Sequence, residues 1–453
     1  MNRISRLAAF LLPVLLLLAA CDLLDNTPAA YPVATVAPTA SLLTLGPTPA
    51  AATSVPAQLP DASVSSLRLW LPAEIGARTP EGAQELADQI TAFEASQSLE
   101  VLVEQKPVEG AGGILSYLRT GTAVAPSVLP DVIALPAVML TDPTIRQMVQ
   151  PLDGLIDPAM LEDAYTDAAA QVVGGPETGG SPARFYGVPF VSAGLTHLVY
   201  ARASITDTIP MDWTTFISDT NHTLVLPADS RDGALFGLQF YLAEGGTLVN
   251  ENGQPDLQVE PLARALRQIA GRPENLLQSR QLKTLDEAWQ YYQVGQSGFL
   301  WVRADYYLGR RAEAGAAEAQ VSDPHLLGYS RVPGPGGPLT PLTTTWVWAV
   351  ATANPARQRP AADLIRALTA PQALATWAEQ SQLLPARREA MTLLAAEEEY
   401  YHFAGEELER ARPMPISESS RQLAAIGDAV FQVLTTDQSP EAIAEATVLS
   451  LRQ

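Results

Sequence analysis

The sequence predicts an α/β protein of two lobes, each a parallel-core sheet flanked by helices, with strands that cross from one lobe to the other as a hinge. Three observations carry this reading. Strand-like and helix-like segments alternate from Leu67 to Leu135, the order that builds a parallel sheet. Phe185 to Tyr200 combines β-favouring residues with Gly187, Pro189 and Gly194, punctuation that bends a strand and suits a crossing between lobes. At 453 residues and 47% hydrophobic, the chain can bury more than one core.

Met1 to Cys21 reads as an export signal, with Arg3 and Arg6 ahead of an apolar run from Leu7 to Ala20 that is short for a membrane span. It ends in Leu18-Ala19-Ala20-Cys21, which resembles the lipobox of bacterial lipoproteins. That resemblance implies that Cys21 is lipidated and holds the protein on the outer face of the cell membrane. Residues 22–65 are rich in Ala, Thr, Ser and Pro and read as a hydrated tether. Cys21 is the only cysteine, so the folded part forms no intramolecular disulfide and no thiolate metal cluster. The formal net charge of −21, from 49 acidic and 28 basic residues, argues against nucleic acid or an anionic bilayer as a partner.

The folded part opens with the alternating strand Leu67 to Leu71, followed by Ala83, Leu86, Ala87, Ile90 and Phe93 at helical spacing. Leu99 to Val103 and Pro130 to Leu135 are the next strands, separated by a glycine-rich turn at Gly110 to Gly113 and a short helical stretch. After the crossing, Asp212-Trp213-Thr214-Thr215-Phe216 reads as a capped helix start and Thr223 to Leu226 as a short strand. A helix through Leu235, Leu238 and Leu242 stops at Gly245-Gly246. Pro261 opens another, and Thr284 with Glu287 forms a capping-box start. Gly298 to Val302 and Thr343 to Val350 are strands, and Pro360 to Leu368 and Pro371 to Gln380 are helices with proline in the first turn. Trp213, Trp289 and Trp377 lie at helical core spacing, and the Glu397 to Glu399 run with Tyr400-Tyr401 reads as a solvated helix face with an apolar edge.

Several of these stretches resemble, in order, the family 1 extracellular solute-binding proteins, the sugar receptors of ABC importers. They are Tyr186-Gly187-Val188-Pro189-Phe190, the opening strand with Trp70, the Leu-Pro-Asp-Val-Ile run before Ala134, the helix start at Trp213, Leu248 to Gly253, Gly295 to Arg303, Pro333 to Gly337, and Leu383 to Arg387. Gln296 stands where the family motif carries lysine, and Thr343 to Thr345 where it usually carries glycines. The resemblance spans roughly residues 66 to 434. It implies the periplasmic-binding-protein fold of the type II-like kind. The lobes are then expected as 66–190 with 345–369, and 191–344 with 370–453, hinged near Val188 to Ser192 and Leu342 to Thr345.

No catalytic motif competes with this reading. His197, His222, His325 and His402 show no metal-ligand spacing, and Gly295-Gln296-Ser297-Gly298 lacks the glycine at 299 that a nucleophile elbow requires. Lys106 and Lys283, the only lysines, do not follow phosphate-loop glycines. No enzyme activity, cofactor or metal is expected. A solute-binding cleft needs apolar faces for a sugar's C–H surface and polar groups for its hydroxyls, and in an α/β lobe these come from loops beyond the strand ends. That rule selects Trp70 and Glu74 in the first lobe, and Asp229, Arg231, Arg303, Asp305 and Tyr306 in the second. Trp346 in the second crossing is a candidate stacking ring. The resemblance implies a monomeric, lipid-anchored receptor that delivers a sugar or oligosaccharide to an ABC permease. A receptor-like lipoprotein that senses or scaffolds without an importer is the alternative, and an extracellular hydrolase a more distant one.

Overall fold

The computed structural model describes residues 64–453 apart from 125–127, 175–182, 203–204, 206–207, 219–222, 253, 272–281, 296, 316–326, 416–419 and 453. The export signal, Cys21, nearly all of the tether, Gln296, His222 and His325 lie outside the described residues.

The strand β1 (Ser66–Leu71) buries Leu67, Leu69 and Leu71 completely on one side and Trp70 on the other. Buried on both faces, it sits inside a sheet, paired in parallel with β2 (Glu100–Gln105) and β3 (Val132–Pro136). Between β1 and β2 come the short helix α1 (Ala73–Gly76) and the long helix α2 (Pro80–Gln97). Thr79 caps α2 by accepting from the Gly82 N–H, with proline at the first helical position. Leu86, Ile90 and Phe93 face the core at the spacing the sequence shows.

The first crossing is β4 (Val188–Ala193), which joins the same sheet antiparallel to β9 (Leu342–Val350). Opposite Trp346 and Val347 stand Val191 and Pro189, so Phe190 is an extra residue in β4, a bulge. The bulge places Pro189, which has no N–H to give, where the ladder is already irregular. It also turns Phe190 onto Trp348, ring centroids 4.4 Å apart. At Gly194, with φ of 84°, the chain leaves this sheet and enters β5 (Thr196–Ala201) of the second.

The second sheet has the order β8 (Leu327–Ser330), β5, β7 (Phe299–Arg303), β6 (Leu224–Val225). β6 and β7 are parallel, and β5 is antiparallel to both its neighbours. The first sheet likewise mixes directions, parallel at β2, β1 and β3 and antiparallel where the crossing strands enter. Helix α3 (Arg231–Ala243) follows β6, and α4 (Ala304–Gly315) follows β7.

In the last part of the chain, α5 (Pro355–Leu368) starts five residues before the expected Pro360. Asn354 caps it and Pro355 takes the first helical position, so Pro360 lies inside the helix. Helix α6 (Pro371–Gln380) packs on α2, with the Trp377 indole N–H donating to the Gly82 carbonyl at 3.1 Å. Then β10 (Leu384–Pro385) pairs with β4 at the edge of the first sheet, a placement the sequence assigned to the second lobe. Two residues carry no periodicity from which that pairing can be read. Helix α7 (Glu399–Arg410) and β11 (Arg412–Pro413) bring the chain alongside Leu342 and Thr343 of β9, before α8 (Arg421–Thr435) packs on α3. Gly237 of α3 makes that approach possible, since a Cβ there would stand 2.4 Å from Val430. The described residues all belong to one compact unit, within which the two sheets and their helices form two bodies in contact.

Candidate functional site

The loops beyond the ends of β1, β6 and β7 converge. Arg303 ends β7 and Asp305 opens α4, while Asp232 lies in the first turn of α3. The Arg303 guanidinium is paired with Asp232 and, through Nε at 3.2 Å, with Asp305 Oδ1. From the first sheet, Arg78 in the turn between α1 and α2 reaches Asp305 Oδ2 at 2.9 Å. Two arginines and two aspartates thus bind each other across the two sheets.

Asp305 is only 8% exposed. Burial by itself pushes its carboxyl up, but the Arg303 and Arg78 guanidiniums outweigh this and hold it below the ordinary carboxylate value. Asp232 goes the other way: burial raises it, and Arg303 only partly opposes that. The cluster therefore keeps Asp305 ionised and its acceptor capacity mostly committed to guanidinium N–H groups.

The other sequence-selected residues fall into separate places. Asp229 is exposed, 3.7 Å from Lys283 Nζ, and with Ser230 and Arg231 lines a cavity of about 330 Å³. Its opposite wall is α8, through Ser420, Leu423, Ala424, Gly427, Asp428 and Phe431. A carboxylate on each side and one aromatic ring are groups suited to a polyhydroxylated solute, while the Ser230 and Ser420 hydroxyls cap α3 and α8. Tyr306 faces away from the charged cluster: its hydroxyl donates to Asp286 at 2.9 Å and accepts from Arg310 Nε at 2.9 Å. Glu74 is exposed in α1. Trp70 is buried, its ring edge-on to Tyr117 with Lys106 Nζ 4.6 Å above it. Trp346 is 7% exposed within β9, between Pro136 of β3 and Val191 of β4.

Sequence reasoning brought forward Arg303 with Asp305, and Asp229 with Arg231, and missed Arg78, Asp232 and Asp428. Arg78 was within reach of the strand-end rule, because it stands just ahead of the Thr79-Pro80 helix start. Asp428 lies mid-helix, where nothing local distinguishes it. Among the described residues no group of three or more His, Cys, Asp or Glu is placed to hold a metal ion, and no helix is long and apolar enough to cross a membrane.

Two α/β bodies, linked by neighbouring crossing strands and meeting through charged strand-end loops, define a two-lobed binding-protein fold. Solved structures share it. The GacH receptor of Streptomyces glaucescens, known unliganded and with acarbose and an acarbose homolog, aligns over 86% of this chain and 98% of its own, at 18% identity and a TM-score of 0.60. The sugar-binding protein MalE of Xanthomonas citri covers 85% of this chain and 96% of its own, at 18% identity and 0.62. Maltose-bound MalE3 of T. maritima covers 86% and 99%, at 16% identity and 0.61. At such identities the likeness is one of fold. A family model described as bacterial extracellular solute-binding protein matches residues 88–400, and the chain belongs to that family. Among curated protein sequences there is no match.

Proposed function

We propose that this protein is an extracytoplasmic solute receptor, anchored through a lipid on Cys21, that captures a carbohydrate between its lobes as a monomer and hands it to an ABC importer. The observation that carries the reading is the meeting of strand-end loops from both sheets at Arg78, Asp305, Arg303 and Asp232. A family of solute-binding proteins and neighbours crystallised with maltose or acarbose support the carbohydrate class. The cavity of about 330 Å³ between Asp229, Arg231 and Asp428 lies on the second body alone, where it adds room for part of a polyhydroxylated solute beside the meeting loops. Solute touching both lobes only in the closed form shifts the open and closed populations by its differential affinity. The lobes turn about the crossings at β4 and β9, and the closed form docks on the permease.

Thermal unfolding of the full-length protein in detergent, against maltose, maltotriose, other sugars, amino acids, polyols and metal ions, tests this. A ligand at a hundred times its dissociation constant stabilises the native state by about 2.7 kcal/mol. A rise in Tm with one sugar class is the expected result. Stabilisation by amino acids alone, or by nothing, sinks the carbohydrate assignment.

A further inference from the structure

We propose that the Arg78–Asp305 ion pair is a closure latch, and that Arg78 is the residue through which the first lobe sets how long solute is held. The ligand half of this rests on the proposed function; the conformational half does not.

Arg78 is presented from a rigid turn. The Gly76 N–H donates to the Pro72 carbonyl at 2.9 Å, the Ala77 N–H to Ala73 at 2.9 Å, and the Thr79 hydroxyl to the Gln380 carbonyl at 2.6 Å. Asp305 is fixed just as firmly on the other side, because the preceding Ala304 N–H donates to the Leu195 carbonyl, in the crossing itself, at 2.7 Å. The two groups are 227 residues apart in the chain and 2.9 Å apart in space.

The division of acceptors makes the bond releasable. Asp305 gives Oδ2 to Arg78, while Arg303 holds Oδ1 at 3.2 Å and reaches Oδ2 at 3.5 Å. When Arg78 withdraws, the carboxylate keeps Arg303 and is not left buried without a counter-charge, which is the outcome that makes breaking an ion pair expensive. Arg78, with 28% of its side chain exposed, returns to water. Asp232 keeps Arg303 in place throughout. The same contact face carries Gly309 of α4, where a Cβ would stand 2.9 Å from Gln382 Oε1 of the segment after α6. A glycine there lets the two bodies approach closely without an interlocking side chain.

The test measures the separation of the lobes. Spin labels on Glu109→Cys and Gln290→Cys, both exposed, are introduced in a full-length Cys21→Ser background, and distance distributions are taken at low and high salt. The expected result is a wild-type latch in which the short-distance population falls with salt. In Arg78→Ala the ratio of open to closed rises about tenfold and loses its salt response. Arg78→Lys, which keeps the charge, falls between. An Arg78→Ala distribution that matches the wild type at both salt concentrations overturns the proposal. With maltotriose as the probe, release followed by tryptophan fluorescence is expected to be about tenfold faster in Arg78→Ala. Failure of maltotriose to bind at all counts against the carbohydrate assignment, and the ligand-free distances still decide the latch.

Discussion

Asp131 shows how much one side chain can organise. It is 2% exposed and accepts from the Arg68 N–H at 2.8 Å and from Arg357 Nε and Nη2 at 2.7 and 2.6 Å, while the same Nη2 also donates to the Ser66 carbonyl at 2.6 Å. One fork ties the start of β3 to the start of β1 and to α5. Arg357→Ala leaves the carboxylate buried with a single backbone donor, and chemical denaturation is expected to show a loss of about 3 kcal/mol. Arg357→Lys keeps the charge without the fork and should lose less. In the sequence Asp131 read only as part of a strand, because the partner that gives it a role stands 226 positions later. The candidate site behaves the same way. Arg303 and Asp305 are close in the chain and were found by the strand-end rule, whereas Arg78 completes them from another body.

At the scale of elements, the first crossing uses each of its three punctuating residues differently. Gly187 admits Leu140 and Val347, whose side chains would lie 3.0 Å from a Cβ; Pro189 sits beside the bulge at Phe190; and Gly194 turns the chain through a left-handed conformation. At Gly194 the nearest atom to a Cβ is the Leu342 carbonyl oxygen at 3.8 Å, so space is available and only the backbone is strained by a side chain. Gly194→Ala is therefore expected to lower stability by about 1–2 kcal/mol in thermal or denaturant unfolding, with secondary-structure content unchanged. The long elements were legible because their apolar period is local: the capping box at Thr284 and Glu287 and the buried Trp213, Trp289 and Trp377 are where the spacing put them. The two-residue strands β10 and β11 were not, since their existence depends on the strands they pair with.

Across the whole molecule, the pH response follows from groups buried by both sheets and the helices on them. His197 of β5 is fully buried, with Nε2 2.8 Å from the Tyr400 hydroxyl of α7, and burial pushes its pKa from 6.5 down to about 3. The unfolded chain binds a proton there first, so stability is complete above pH 6.5 and is lost as pH falls toward 3. Asp305, held below its ordinary value of 3.8 despite burial by Arg303 and Arg78, adds a second loss below pH 3.8. Melting temperatures measured from pH 8 to pH 3 are expected to decline from about 6.5 downward, and His197→Gln is expected to flatten the slope between pH 6.5 and 4. An unchanged slope in that variant means that His197 does not set it.

The sequence by itself determined what is local. The order of strands and helices, the capped starts and stops, and the bent crossing are set by periodicity, propensity and backbone conformation within a few residues. These were enough for an α/β fold with a bent crossing, while the solute-binding family came from the resemblance of stretches such as Tyr186 to Phe190 and Gly295 to Arg303, and the family match over residues 88–400 bears it out. Only the tertiary structure decided which groups face one another: that Arg78 meets Asp305, that Asp229 and Arg231 share a cavity with Asp428, and that Trp70 and Trp346 are buried. Those contacts join positions far apart in the chain, and their energy depends on burial and geometry that exist only once both bodies have folded and come together.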